Sequence, residues 1–118
     1  MDLTEILHHL GEYDDPTFRT VSPPIYQSSN FDFKTVKDFR AAMANEEHLP
    51  IYTRGANPTV RLLEKKLAAL QGTEAALCFG SGSAAVAAAV MNSVSGGDHV
   101  ICVDYAYSWT KKLLGPFL

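Results

Sequence analysis

Cysteine and tryptophan are scarce in this chain: two cysteines and one tryptophan occur among its 118 residues. Cys78 and Cys102 form no Cys-x-x-Cys pair, and each sits inside an apolar run. Both are therefore expected as buried, inert thiols rather than as a disulfide or a nucleophile. Long apolar runs are missing as well. The most hydrophobic stretch, residues 84–91, is far too short to cross a bilayer, so no membrane partner is expected. The opening Met1-Asp2-Leu3-Thr4-Glu5 is acidic and lacks an apolar core. It does not read as a secretory signal, which makes the cytoplasm the expected location. Basic clusters are absent too: no lysine/arginine run exceeds two residues and the net charge is -3. That argues against a nucleic-acid surface and leaves a local anion site open.

What remains is ordinary globular composition, 47% hydrophobic and 19% charged, enough for one domain or part of one. Leu3, Ile6, Leu7 and Leu10 share one helical face, and Gly11 offers a stop. His8 and His9 follow each other, so they point to different sides of that helix and read as solvent-facing rather than as metal ligands; no metal site is expected. Residues 12–33 are irregular, punctuated by Asp15-Pro16, Pro23-Pro24 and Ser28-Ser29-Asn30. An extended arm of this length is uncommon inside a compact domain and suits wrapping around a second subunit.

Thr35 can cap a helix with apolar positions Val36, Phe39 and Met43. After the loop at residues 51–56, Asn57-Pro58 predicts a strong helix start, because proline's missing N–H costs nothing in the first turn. Val60, Leu63, Leu67 and Leu70 repeat along one face of that helix, and Gly72 ends it. A strand at residues 75–79, a turn at 80–83, a helix at 84–94 and a strand at 99–103 then predict a right-handed βαβ crossover and a parallel sheet. A two-stranded sheet is marginal alone, so the chain reads as the beginning of a larger α/β domain. By itself it is expected to be poorly stable or oligomeric.

The turn Gly80-Ser81-Gly82-Ser83 stands between a strand and a helix N-terminus. Glycines there allow close backbone approach, and the first helical N–H groups present the positive end of the dipole, so a phosphate fits the chemistry. A plain strand-to-helix turn fits it equally. Gly80-x-Gly82-x-x-Ala85 also matches the dinucleotide fingerprint, with Asp104 near the spacing of a ribose contact. That reading leaves the long arm and the tyrosine–arginine loop without a role.

The loop Tyr52-Thr53-Arg54-Gly55-Ala56-Asn57-Pro58-Thr59 resembles the Y-[ST]-R-x-x-N-P-T signature of the cystathionine γ-synthase/γ-lyase family. Pro23-Pro24-Ile25-Tyr26-Gln27-Ser28-Ser29-Asn30-Phe31 is similar to the family's P-P-I-Y-Q-[ST]-[ST]-x-F arm, and residues 75–85 to its strand and S-G-M-A-A turn. The likeness runs from about Gly11 to Thr110.

The resemblance implies pyridoxal 5'-phosphate as cofactor and an aminotransferase-like α/β fold, of which this chain is a truncated start. Residues 1–57 would be the arm and subunit-contact loop, and residues 58–118 the incomplete cofactor domain. It implies that Tyr52 and Arg54 bind the cofactor phosphate of a neighbouring protomer, a task that suits a guanidinium fork and a phenol. The matching turn implies backbone N–H contacts to phosphate at Gly82 and Ser83, where serine stands in place of the common methionine. Tyr107-Ser108-Trp109-Thr110 resembles the Y-G-x-T segment whose tyrosine stacks on the pyridine ring, which makes Tyr107 the candidate rather than Tyr105. Ser108 and Trp109 depart from that pattern.

No lysine here matches the family's Schiff-base lysine, so no catalytic residue is assigned in this chain and the isolated chain is expected to be inactive. The whole protein would perform β/γ-elimination or γ-replacement on a sulfur-containing amino acid or an activated homoserine, as a homo-oligomer (a dimer of dimers, by resemblance). A non-catalytic module pairing with a full-length relative and, less well supported, a dinucleotide-binding domain are the alternatives.

Overall fold

A computed structural model describes residues 2–11, 20–46 and 48–117. It divides into two compact units, Met1–Leu77 and Cys78–Leu118. Part of the expected arm, residues 12–19 with Asp15-Pro16, lies outside the described residues.

Among its described residues the first unit holds three helices, each started by a local signal. Helix α1 (Leu3–His8) is capped by Asp2, whose carboxylate accepts from the Glu5 N–H at 2.8 Å. Ile6 is its buried residue, and α1 packs against α3. Lys66 Nζ adds a tie by donating to the Leu7 carbonyl at 2.9 Å. Helix α2 (Val36–Met43) begins at Thr35, as expected. The Thr35 hydroxyl accepts from the Asp38 N–H at 3.1 Å and donates to the Asp38 carboxylate at 2.8 Å, a reciprocal arrangement close to a capping box. Phe33 and Phe39 meet edge to face across this helix start, with centroids 5.6 Å apart.

Helix α3 (Pro58–Gln71) has Asn57 as its cap and ends at Gly72, whose φ of 65° only glycine adopts cheaply. The Thr73 N–H reaches the Ala68 carbonyl at 3.0 Å and the Gly72 N–H reaches Ala69 at 3.3 Å, which is a Schellman ending.

The second unit contains α4 (Gly82–Ser93), α5 (Ser108–Lys112) and a π-helical turn at Leu113–Phe117 that includes Pro116. Helix α4 starts two residues earlier than the sequence suggests, because Ser81 caps it by accepting the Ala84 N–H at 3.2 Å. Gly82 and Ser83 are thus its first turn rather than a loop. Helix α5 packs on α4. No helix among the described residues is long and apolar enough to cross a membrane.

The βαβ expectation needs correction. Among the described residues no ladder forms at 75–79 or 99–103, and the one bridge pairs Asn30 with Tyr52 in antiparallel sense. Leu77, Ile101 and Val103 stand 75%, 94% and 74% exposed, so both apolar segments lack cover. The physical reason is that strands, unlike helices, take their hydrogen bonds from elsewhere, and parallel strands also need both faces packed. The thiol expectation changes for the same reason: Cys102 is exposed and Cys78 half-buried. His8 and His9 are both exposed.

Candidate functional site

In the first unit the site grows from one buried amide. Asn57 is the only buried polar residue among those described. Its Oδ1 accepts from the Thr59 N–H at 2.9 Å, the expected helix cap. Its Nδ2 donates to the Tyr26 carbonyl at 2.8 Å and to the Thr53 hydroxyl at 2.5 Å. Thr59 adds two bonds to the same arm: its hydroxyl accepts from the Tyr26 N–H at 2.9 Å and donates to the Pro24 carbonyl at 3.3 Å. Further along, the Thr53 N–H reaches the Ser29 carbonyl at 2.9 Å and the Phe31 N–H reaches Ile51 at 3.2 Å. The two sequence motifs, arm and loop, are thus one hydrogen-bonded piece.

Between these attachments the loop turns on the Tyr52 carbonyl, which accepts from Gly55 N–H at 3.0 Å and Ala56 N–H at 3.2 Å. The turn brings the side chains of Tyr52 and Arg54 together, with the Arg54 guanidinium carbon 5.2 Å from the Tyr52 ring centroid. A guanidinium on a ring face keeps its N–H edge available, so this pair offers a charge, a planar donor fork and a phenol to an anion. Both residues are exposed.

In the second unit Gly82 and Ser83 occupy the first turn of α4. Ala84 and Ala85 donate to the Ser81 side chain and carbonyl, which leaves the Gly82 and Ser83 N–H groups without an acceptor among the described residues. A Cβ built at Gly82 would meet nothing within 4 Å, so the approach to these amides is open. Tyr107 precedes α5 and is 63% exposed, and its carbonyl accepts from the Thr110 N–H at 2.9 Å. Tyr105 is 96% exposed.

Trp109 and Lys112 carry no site role in the sequence motifs. With Ser83, Val86, Ala87 and Met91 they line a mostly apolar cavity of about 420 Å³, and the Lys112 ammonium lies 4.4 Å from the Trp109 ring centroid. Asn57 was legible only as a cap; its second role depends on a partner far away in sequence. Asp104, the ribose candidate of the dinucleotide reading, is 3.7 Å from Lys111 Nζ.

Each donor group suits an anion by its chemistry: a guanidinium with a phenol in the first unit, and two open helix-start amides in the second. The O-acetyl-L-homoserine sulfhydrylase of Corynebacterium glutamicum is 36% identical over 105 residues, 89% of this chain and 24% of that protein. The L-methionine gamma-lyase of Porphyromonas gingivalis is 40% identical over 111 residues, 94% of this chain and 27% of that protein. A crystal structure from Campylobacter jejuni, assigned as an O-acetylhomoserine (thiol)-lyase, superposes with a TM-score of 0.83 at 31% identity, over 98% of this chain and 28% of that one. It carries N'-pyridoxyl-lysine-5'-monophosphate. This chain therefore spans about a quarter of the length of the relatives it matches. Residues 4–118 match the family described as Cys/Met metabolism PLP-dependent enzyme, and the chain belongs to that family, whose cofactor is pyridoxal 5'-phosphate.

Proposed function

We propose that this chain is the phosphate-gripping N-terminal part of a pyridoxal-phosphate-dependent sulfur amino-acid lyase or synthase, and that by itself it turns over no substrate. The observation that carries the reading is the Tyr52–Arg54 pair, held 5.2 Å apart on a loop sewn to the arm. Arg54, through its charge and donor fork, and Tyr52, through its phenol, bind the cofactor phosphate of a neighbouring protomer, and the Gly82 and Ser83 amides bind phosphate at a helix start. Tyr107 packs against the pyridine ring. When bound, the cofactor supplies the electron sink that lets an amino acid lose its α-proton and then a β- or γ-substituent. Residues 1–57 serve as arm and subunit-contact loop, and residues 58–118 begin the cofactor domain of a homo-oligomer. The substrate class is a sulfur-containing amino acid or an acylated homoserine, as the names of the relatives support.

Equilibrium dialysis of the 118-residue chain against pyridoxal phosphate and against pyridoxal tests the grip. Retention of the phosphorylated form alone is expected; equal retention of both, or of neither, removes the reading. Incubation with methionine or O-acetylhomoserine should release no thiol or keto acid.

A second reading, a non-catalytic module that pairs with a full-length relative, draws on the exposure of Leu77, Ile101 and Val103. Co-elution with a relative's intact enzyme in size-exclusion chromatography would favour it.

A further inference from the structure

We infer that Asn57 is a positioning residue for the Tyr52–Arg54 pair: its buried carboxamide fastens the arm to the loop, and the arm fixes where the pair presents its donors. This rests on the phosphate-gripping role proposed for that pair.

A helix cap needs only the Oδ1 acceptor, and the Thr59 N–H fills it at 2.9 Å. The Nδ2 group has a separate use, since it donates to Tyr26 and to Thr53. Two pins then bracket the arm. Residues 24–26 are held at the start of α3 by Asn57 and Thr59, and residues 29–31 are held by the bridge to 51–53. The loop bearing Tyr52 and Arg54 runs between the pins, so its backbone is set from both sides. Asn57 is only 8% exposed, so its own three bonds are partly shielded from water and a polar atom left unpaired there is costly. Asn57 acts through the backbone rather than on the anion itself.

Asn57→Asp separates the two uses. The carboxylate remains a cap acceptor for Thr59, and the Thr53 hydroxyl can turn to donate to it. Only the donor to the Tyr26 carbonyl is lost, replaced by repulsion between two acceptors. Nuclear magnetic resonance on the full chain without ligand reads the effect at three places: the ring-current shift that Tyr52 imposes on the Arg54 side-chain protons, amide exchange at Phe31 and Thr53, and amide exchange at residues 63–70 of α3. Asn57→Asp should abolish most of the Arg54 shift and speed exchange at Phe31 and Thr53 about three- to tenfold, the equivalent of one hydrogen bond, while α3 keeps its protection. Thr59→Val, which leaves the cap intact, should give the same pattern more weakly, and Thr59→Ser should restore it. An unchanged Arg54 shift in both Asn57→Asp and Thr59→Val overturns the inference. So does loss of the shift only in step with loss of α3 protection, which would make Asn57 a cap and nothing more. Titrating inorganic phosphate and watching Arg54 keeps the two readings apart. Arg54 signals that ignore phosphate would sink the grip, while the ligand-free signals still judge Asn57.

Discussion

The Asn57 side chain donates to the Tyr26 carbonyl at 2.8 Å across 31 positions of sequence, and this contact joins the arm to the loop that bears Tyr52 and Arg54. Both partners belong to short motifs that look independent on the page. In the structure each is the other's support, which explains why an exposed arginine and tyrosine can occupy a defined place on a chain with so small a core.

Tyr107 and Tyr105 should separate cleanly. A ring stacked on a pyridine uses its face, so Tyr107→Phe should bind pyridoxal phosphate as the parent does. Tyr107→Ala should lose about three- to tenfold in affinity, the worth of one aromatic pair. Tyr105→Ala should change nothing. Fluorescence titration with pyridoxal phosphate checks all three, and a loss confined to Tyr105→Ala would reassign the stack.

Gly82→Ala should leave the fold intact and weaken phosphate binding. A Cβ at Gly82 meets nothing within 4 Å, and alanine suits a helix better than glycine, so thermal stability should hold or rise by up to about 1 kcal/mol. A methyl added beside the first-turn amides should crowd an anion bound there, and losing one such charge-assisted bond costs about tenfold in affinity. Thermal melts and phosphate titration on the same sample read both effects.

Gly72 and Gly55 should respond differently to the same substitution. Gly72 sits at φ 65°, where a Cβ is strained, so Gly72→Ala should cost about 1–2 kcal/mol. A Cβ at Gly55 would lie 3.5 Å from Glu46 Oε1 and 3.7 Å from the Tyr52 carbonyl, which is ordinary contact. Gly55→Ala should therefore stay within about 0.5 kcal/mol in urea unfolding.

Much of the helical content is legible in the sequence because its causes are local. Thr35, Asn57-Pro58 and Gly72 each act within a few residues, and each marks the helix end where expected. Ser81 is local too, yet its pull on the Ala84 N–H shifts the start of α4 back to Gly82. Residues 75–79 and 99–103 have the apolar character of strands and form no ladder, since a strand's hydrogen bonds come from a partner that local pattern cannot supply. Cys102 reads as buried for the same mistaken reason: an apolar run predicts burial only where something covers it. Of the candidate site, the chemistry of Tyr52 and Arg54 is legible from the motif. The tie through Asn57 to Tyr26 is not, because it is a long-range contact between side chain and backbone.

Those uncovered segments predict self-association. Ile101 is 94% exposed in a stretch of β-forming residues, the kind of edge that pairs with another chain. Ile101→Lys should shift the chain toward monomer in sedimentation at matched concentration, while its unfolding free energy moves by less than about 0.5 kcal/mol. An equally associated Ile101→Lys variant would place the sticky surface elsewhere.

Isothermal titration of pyridoxal phosphate into the parent chain and into Arg54→Ala tests the phosphate grip most directly. Arg54 is exposed and makes its one described ring contact with Tyr52, so its removal should leave stability unchanged. The parent should bind saturably and Arg54→Ala should lose about ten- to a hundredfold, the worth of hydrogen bonds to a charged group. Equal affinity in the two proteins would mean that Arg54 does not hold the phosphate.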